Sequence, residues 1–216
     1  MAATGTAGFL KRRGAHVLLA LPLAWLVWRW GLLLTGTAPR AAGLTAEPVS
    51  QTINELGLWA LRALCLTLLV TPLRKALRWS WLAAWRRPLG LWCFAFACLH
   101  LLVYFGLDQL GDPALLIEDV AKHRFILLGM AAWLLLLPLA LTSTSGMIRR
   151  LGARRWQRLH RLILPAALLA ACHFILRVKG FQPEPWIYAV VLSGLVVIRL
   201  RAALSRGKTA SKSETE

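Results

Sequence analysis

The sequence predicts an all-α integral membrane protein, a bundle of six transmembrane helices. Three observations carry the prediction. Of the 216 residues, 58% are hydrophobic, and the mean hydropathy is +0.59. The apolar residues gather into six runs of bilayer length, roughly 20 residues at ~1.5 Å rise across a hydrocarbon core about 30 Å thick. The basic residues, which give a formal net charge of +17, fall in short clusters between those runs. This distribution places one part of the chain in lipid and another at an anionic surface, and it argues against nucleic-acid binding as the reason for the high pI.

The first run, 15–34, follows Lys11-Arg12-Arg13 as a signal peptide would. Its apolar stretch is long and no small-residue cleavage site follows, so it reads as a retained helix. The second covers 53–71, the third 89–107, the fourth 125–142, the fifth 161–178 and the sixth 186–203. Together 15–203 form one membrane domain with no internal repeat, after a cytoplasmic segment 1–14. The polar stretch 204–216 reads as a disordered cytoplasmic tail. Cys65, Cys93, Cys98 and Cys172 all lie in apolar runs without CxxC spacing, and read as small buried residues.

Orientation follows from Lys and Arg. Residues 11–13, 72–88, 146–161 and 199–212 hold nineteen of the 26, whereas the opposite loops hold Arg40, Lys122, Arg124, Arg177 and Lys179. Both termini are therefore expected in the cytoplasm. Arg29 and Arg62 remain, inside spans.

The five histidines carry the candidate chemistry. His123 sits between Lys122 and Arg124 and reads as a solvated loop residue; His16 and His160 begin the first and fifth spans at the cytoplasmic edge. His100 lies thirteen residues beyond Arg87, hence ~20 Å into the membrane, and His173 twelve beyond Arg161, hence ~18 Å. Both spans run outward, so the two stand at nearly equal height. Two neutral imidazoles at one depth on two helices suit the axial positions of a haem iron. They also suit interhelical hydrogen bonds or a proton path. Zinc would want three or four ligands, and no cluster in the sequence supplies them. His160 is ~140° around an ideal helix from His173, so the two face one column only if the helix is distorted, which Pro165 can do.

The stretches "RRPLGLWCFAFACLHLLVYF" (86–105), "LALTSTSGMIRRLGARRWQRLHRLI" (139–163) and "HFILRVK" (173–179) resemble the MsrQ (YedZ) family, over about 15–203. "ALPLAWLVW" and "LVTPLRK" fit the first two helices of that family. The resemblance implies a ferric-reductase-like transmembrane domain of six helices. It implies haem b, one or two, with His100, His160 and His173 as haem-associated residues, and FMN. It implies electron delivery to a periplasmic molybdenum-cofactor methionine sulfoxide reductase, MsrP, from the quinone pool or a cytosolic flavin reductase. The wider group often carries two histidines on each of two helices. Here the third span offers Arg86 and Arg87 at the level of His160, so a second haem lacks its obvious partner, and His16 is the residue at that height on the first span. The stretch that resembles the family includes no cytoplasmic nucleotide-binding domain, so NAD(P)H is not expected to bind here directly.

The combined reading is a non-catalytic electron-transfer subunit. His100 and His173 are the axial pair, and His160 is a second ligand or a flavin or quinone contact at the entry side. Arg62 cannot be idle in lipid and is assigned to a haem propionate, against snorkelling or an interhelical hydrogen bond. Arg86, Arg87, Arg149 and Arg150 are available to FMN phosphate, against simple positive-inside anchoring. The rival classes, a transporter or proton channel using the same His and Arg residues, or a structural anchor for a partner, would be colourless.

Overall fold

A computed structural model of the chain describes the backbone of residues 3–212 and the side chains of 14–202. Its elements are α1 (Ala3–Leu34), α2 (Pro48–Leu77), α3 (Arg86–Val103), α4 (Pro113–Lys122), α5 (Arg124–Leu141), α6 (Ser145–Leu159), α7 (Ile163–Arg177) and α8 (Pro183–Lys212). A 3-10 turn, Ser80–Trp85, leads into α3, and a π turn, Tyr104–Asp108, extends it. Another 3-10 turn, His160–Leu162, joins α6 to α7. Six segments are long and apolar enough to cross a membrane: Gly14–Leu34, Pro48–Leu77, Ser80–Asp108, Arg124–Leu141, Ser145–Arg177 and Pro183–Ala202. Each contains one of the six expected runs or most of it.

The differences lie between the spans. Two stretches expected as loops contain helices. At α4, Asp112 caps the first turn by accepting from the Ala114 amide at 2.8 Å, and Pro113 pre-sets the first helical residue. At α6, Thr144 accepts from the Met147 amide at 3.2 Å. There Met147, Ile148, Leu151 and Trp156 are half-buried, while Arg149, Arg150, Arg154, Arg155 and Arg158 are exposed. Gly152 interrupts this helix with φ 72 and ψ 154, a backbone conformation that is essentially glycine's own. The last helix carries on past residue 203, where a disordered tail was expected. Residues 1, 2 and 213–216 lie outside the described residues, as do the side chains of the expected N-terminal segment up to residue 13.

The chain forms two compact units, Met1–Thr67 with Trp81–His123, and Leu68–Ser80 with Arg124–Glu216. In the first, α1, α2 and α3 pack Leu26, Leu56 and Phe96 against Trp30, Trp59 and Trp92. The Trp92 and Phe96 ring centroids are 5.4 Å apart. In the second, α7 packs against α5 and α8. Ala166, Ala167 and Ala171 are buried on α7, and such small residues allow helices to approach closely without any hydrophobic drive between them. Trp25, Trp28, Val190 and Ile198 are exposed, which fits lipid as the solvent. Of the cysteines only Cys93 is buried; Cys172 is exposed on α7, contrary to its expected burial.

Arg29, placed inside the first span by the sequence, is 5% exposed and fully engaged through its terminal nitrogens. Nη1 donates to both carboxylate oxygens of Glu55 at 2.9 and 2.8 Å, and Nη2 donates to the Gly43 carbonyl. Gln51 donates to Glu55 at 2.7 Å and accepts from the Thr45 amide at 2.6 Å. The network ties the 35–47 connection to the ends of α1 and α2.

Candidate functional site

The candidate residues are histidines, each held by a neighbouring helix of its own unit. His100 is half-buried near the end of α3, in the first unit. Its Nδ1 lies 2.8 Å from the carbonyl oxygen of Ile53 on α2. A carbonyl can only accept, so Nδ1 carries the proton and donates it, and Nε2 presents the ring's lone pair. A metal-binding histidine is commonly oriented in this way.

His173, on α7 in the second unit, repeats the arrangement. Its Nδ1 donates to the carbonyl of Phe125 on α5 at 2.7 Å, and the Phe125 ring lies 5.9 Å away, tilted by 56°. Here too the proton is fixed on Nδ1 and the lone pair on Nε2. In both cases a glycine stands four residues beyond the accepting carbonyl. A Cβ added at Gly57 would lie 3.1 Å from Nδ1 and 3.2 Å from Cε1 of His100. A Cβ at Gly129 would lie 2.8 and 3.0 Å from the same atoms of His173. Neither glycine, nor the accepting carbonyls, was singled out by the sequence reading. A signal existed: Gly57 precedes His100 by 43 residues, and Gly129 precedes His173 by 44. The contacts repeat although the sequences around them do not.

His160 sits at the start of the 3-10 turn between α6 and α7. The helix is distorted there, by a 3-10 turn that begins at His160 and precedes Pro165. Its ring stacks on Trp156 with centroids 3.8 Å apart, and Nδ1 donates to the Trp156 carbonyl at 3.1 Å. The Nε2 atom is buried. Trp156 in turn donates to the Thr142 carbonyl at 2.9 Å, fixing α6 to the end of α5.

His16 is held differently. It is exposed on α1, and its Nδ1 accepts from the Trp92 indole N–H at 3.0 Å, which puts the neutral ring's proton on Nε2. That tautomer is opposite to those of His100 and His173. Arg62 on α2 places its guanidinium over the Trp59 ring, 4.8 Å from the centroid. Arg87, Arg149 and Arg150 are exposed and Arg86 half-buried. His123 is exposed, as expected, and bonds Asp119 at 2.7 Å; Asp119 also accepts from the Tyr104 hydroxyl at 2.5 Å.

Among the described residues, no three His, Cys, Asp or Glu side chains gather to hold a metal ion. A haem asks for less, because the porphyrin supplies four nitrogens and the protein only axial ligands. His100 and His173, each half-buried with its lone pair on Nε2, are each of the kind that can serve so.

Comparison with known proteins agrees with this chemistry. Residues 56–171 match the family described as the ferric reductase like transmembrane component. The chain is 42% identical over 200 residues to the protein-methionine-sulfoxide reductase heme-binding subunit MsrQ of Rhodospirillum rubrum, covering 93% of this chain and 92% of the relative. It is 40% identical over 215 residues to the protein of the same name from Xanthomonas euvesicatoria, covering 100% and 97%. With that from Xanthomonas campestris strain B100 it shares 39% over 213 residues, covering 98% and 95%.

Proposed function

The chain belongs to the ferric-reductase-like transmembrane family and, within it, to the MsrQ heme-binding subunits; from that premise we propose that it moves electrons outward across a bacterial inner membrane. The recipient is a periplasmic, molybdenum-cofactor methionine sulfoxide reductase of the MsrP type, so the chain supports repair of oxidised proteins without transforming substrate itself. The donor is the quinone pool or a cytosolic flavin reductase.

The observation that carries this reading is the Nδ1–H···O=C bond made by both His100 and His173. It gives each ring the tautomer a haem iron requires. We assign these two as the residues that would hold the haem iron through Nε2, supported by their nearly equal depth in the sequence. Haem b, when bound, supplies the one-electron redox change. The chain supplies imidazole orientation and an apolar surrounding that excludes water. Arg62 is assigned to a propionate, and exposed arginines such as Arg149 and Arg150 to the phosphate of FMN. His16 is assigned no ligand role beyond its height on the first span, since Nε2 carries its proton. A visible spectrum of the purified protein tests the central claim: a reduced-minus-oxidised b-type spectrum is expected. A colourless, folded protein would overturn it in favour of a transporter or anchor.

Topology gives a separate prediction. A reporter active only in the periplasm, fused after Gly111, is expected to be active, and one fused after Gly152 silent. The reverse pattern would overturn the outward direction of electron flow.

His160 is assigned to electron entry. It adjoins the exposed arginines of α6 and lies thirteen residues from His173, ~20 Å by the helical rise. His160→Ala is expected to slow reduction by a cytosolic flavin reductase far more than reduction by dithionite, with the His100 and His173 spectrum retained. Equal, parental rates with both reductants would remove His160 from the entry path.

A further inference from the structure

We propose that Gly57 and Gly129 are positioning residues that set the electronic character of the two axial histidines, one glycine for each half of the protein. The proposal rests on the assignment of His100 and His173 as ligands. In a helix, each Cα–Cβ bond tilts toward the N-terminus, so a side chain covers the turn before it. The carbonyl of residue i therefore lies beneath the side chain of residue i+4, whose N–H it accepts. Its second lone pair is most open to a neighbouring helix where that side chain is missing. Ile53 and Gly57 on α2 are one such pair, and Phe125 and Gly129 on α5 are the other. Each imidazole enters the gap and donates Nδ1–H to the uncovered carbonyl.

The two gaps differ in tightness. At Gly57 the nearest ring atoms stand at 3.1 and 3.2 Å from where a Cβ would be, so a methyl group demands a shift of a few tenths of an ångström. At Gly129 they stand at 2.8 and 3.0 Å, which no methyl group occupies unless the ring moves off its carbonyl. A ring that loses this bond becomes a weaker donor to ferric iron. An Nδ1–H donated to a carbonyl raises ligand basicity and favours the oxidised metal, so its loss raises the reduction potential.

The experiment uses the full-length, haem-loaded protein in detergent, with Gly57→Ala and Gly129→Ala. Expected are a rise in midpoint potential, an altered low-spin electron paramagnetic resonance signal, and haem affinity lower by about 10–100-fold, the usual cost of losing an outer-shell partner. The effect should be larger at Gly129 than at Gly57. Gly90→Ala is the control, because its Cβ meets only Thr67 Cγ2 at an ordinary 3.7 Å. If His100→Ala and His173→Ala retain the parental spectrum, the ligand assignment falls. If those variants lose it while both glycine variants keep the parental potential and affinity, the glycine proposal falls alone. Should Gly129→Ala not take up haem, the haem-free protein decides. With His173→Ala also present the obstructing ring is gone, and alanine, the better helix former, should restore the melting temperature to that of His173→Ala or above. Equal destabilisation with and without the imidazole would overturn the proposal.

Discussion

Replacing His100 or His173 by alanine is expected to abolish the low-spin, bis-imidazole spectrum of the protein. On the proposed assignment, each substitution removes a ligand of the haem iron itself. The loss should therefore exceed the 10–100-fold in affinity that removal of a mere outer-shell partner costs. The two variants should look alike, because each ring is mounted in the same way: Nδ1 against a helical carbonyl at 2.8 or 2.7 Å, with a glycine beneath. His123→Ala supplies the comparison, since that ring is exposed and bonds Asp119 outside the cradles. Haem content and absorption of the purified variants check the expectation. An unchanged spectrum in either variant rules out that residue as a ligand.

The second large effect is on stability. Removing Glu55 leaves the Arg29 guanidinium buried with its carboxylate partner gone. Breaking a buried pair by one partner costs about 3–5 kcal/mol. The lower end applies here, because Glu55 keeps 30% of its side-chain surface exposed and Arg29 retains the Gly43 carbonyl. Thermal unfolding of Glu55→Ala in detergent should show a marked drop. The double variant Arg29→Met, Glu55→Leu should recover much of it, since an apolar pair of similar volume removes both charges. A Glu55→Ala protein as stable as the parent would show that the pair contributes nothing.

The six spans were legible because hydropathy over about 20 residues is a strong signal, and one that packing between helices hardly alters. The histidines were legible because a polar group at depth in lipid is costly and stands out. What escaped was whatever depends on a partner far along the chain. Glu55 looked like the unremarkable start of a span until Arg29, 26 residues earlier, was found against it. Gly57 and Gly129 gave no local sign of purpose, since their role is to have nothing where His100 and His173 arrive. The helix α6 was hidden by its arginines, which read as loop. Its half-buried Met147, Ile148 and Leu151 do follow helical spacing, but over a stretch too short to outweigh the charge. The N-terminal signature of α4, Asp112-Pro113, was readable and was passed over in favour of a connecting loop.

The cradles also fix an order of events during synthesis. Ile53 and Gly57, which form His100's cradle, precede it in the chain, and Phe125 and Gly129 likewise precede His173. Each histidine therefore leaves the ribosome after the residues of its receptor. Translation at ~5–20 residues per second separates the two moments, 73 residues apart, by roughly 4–15 s.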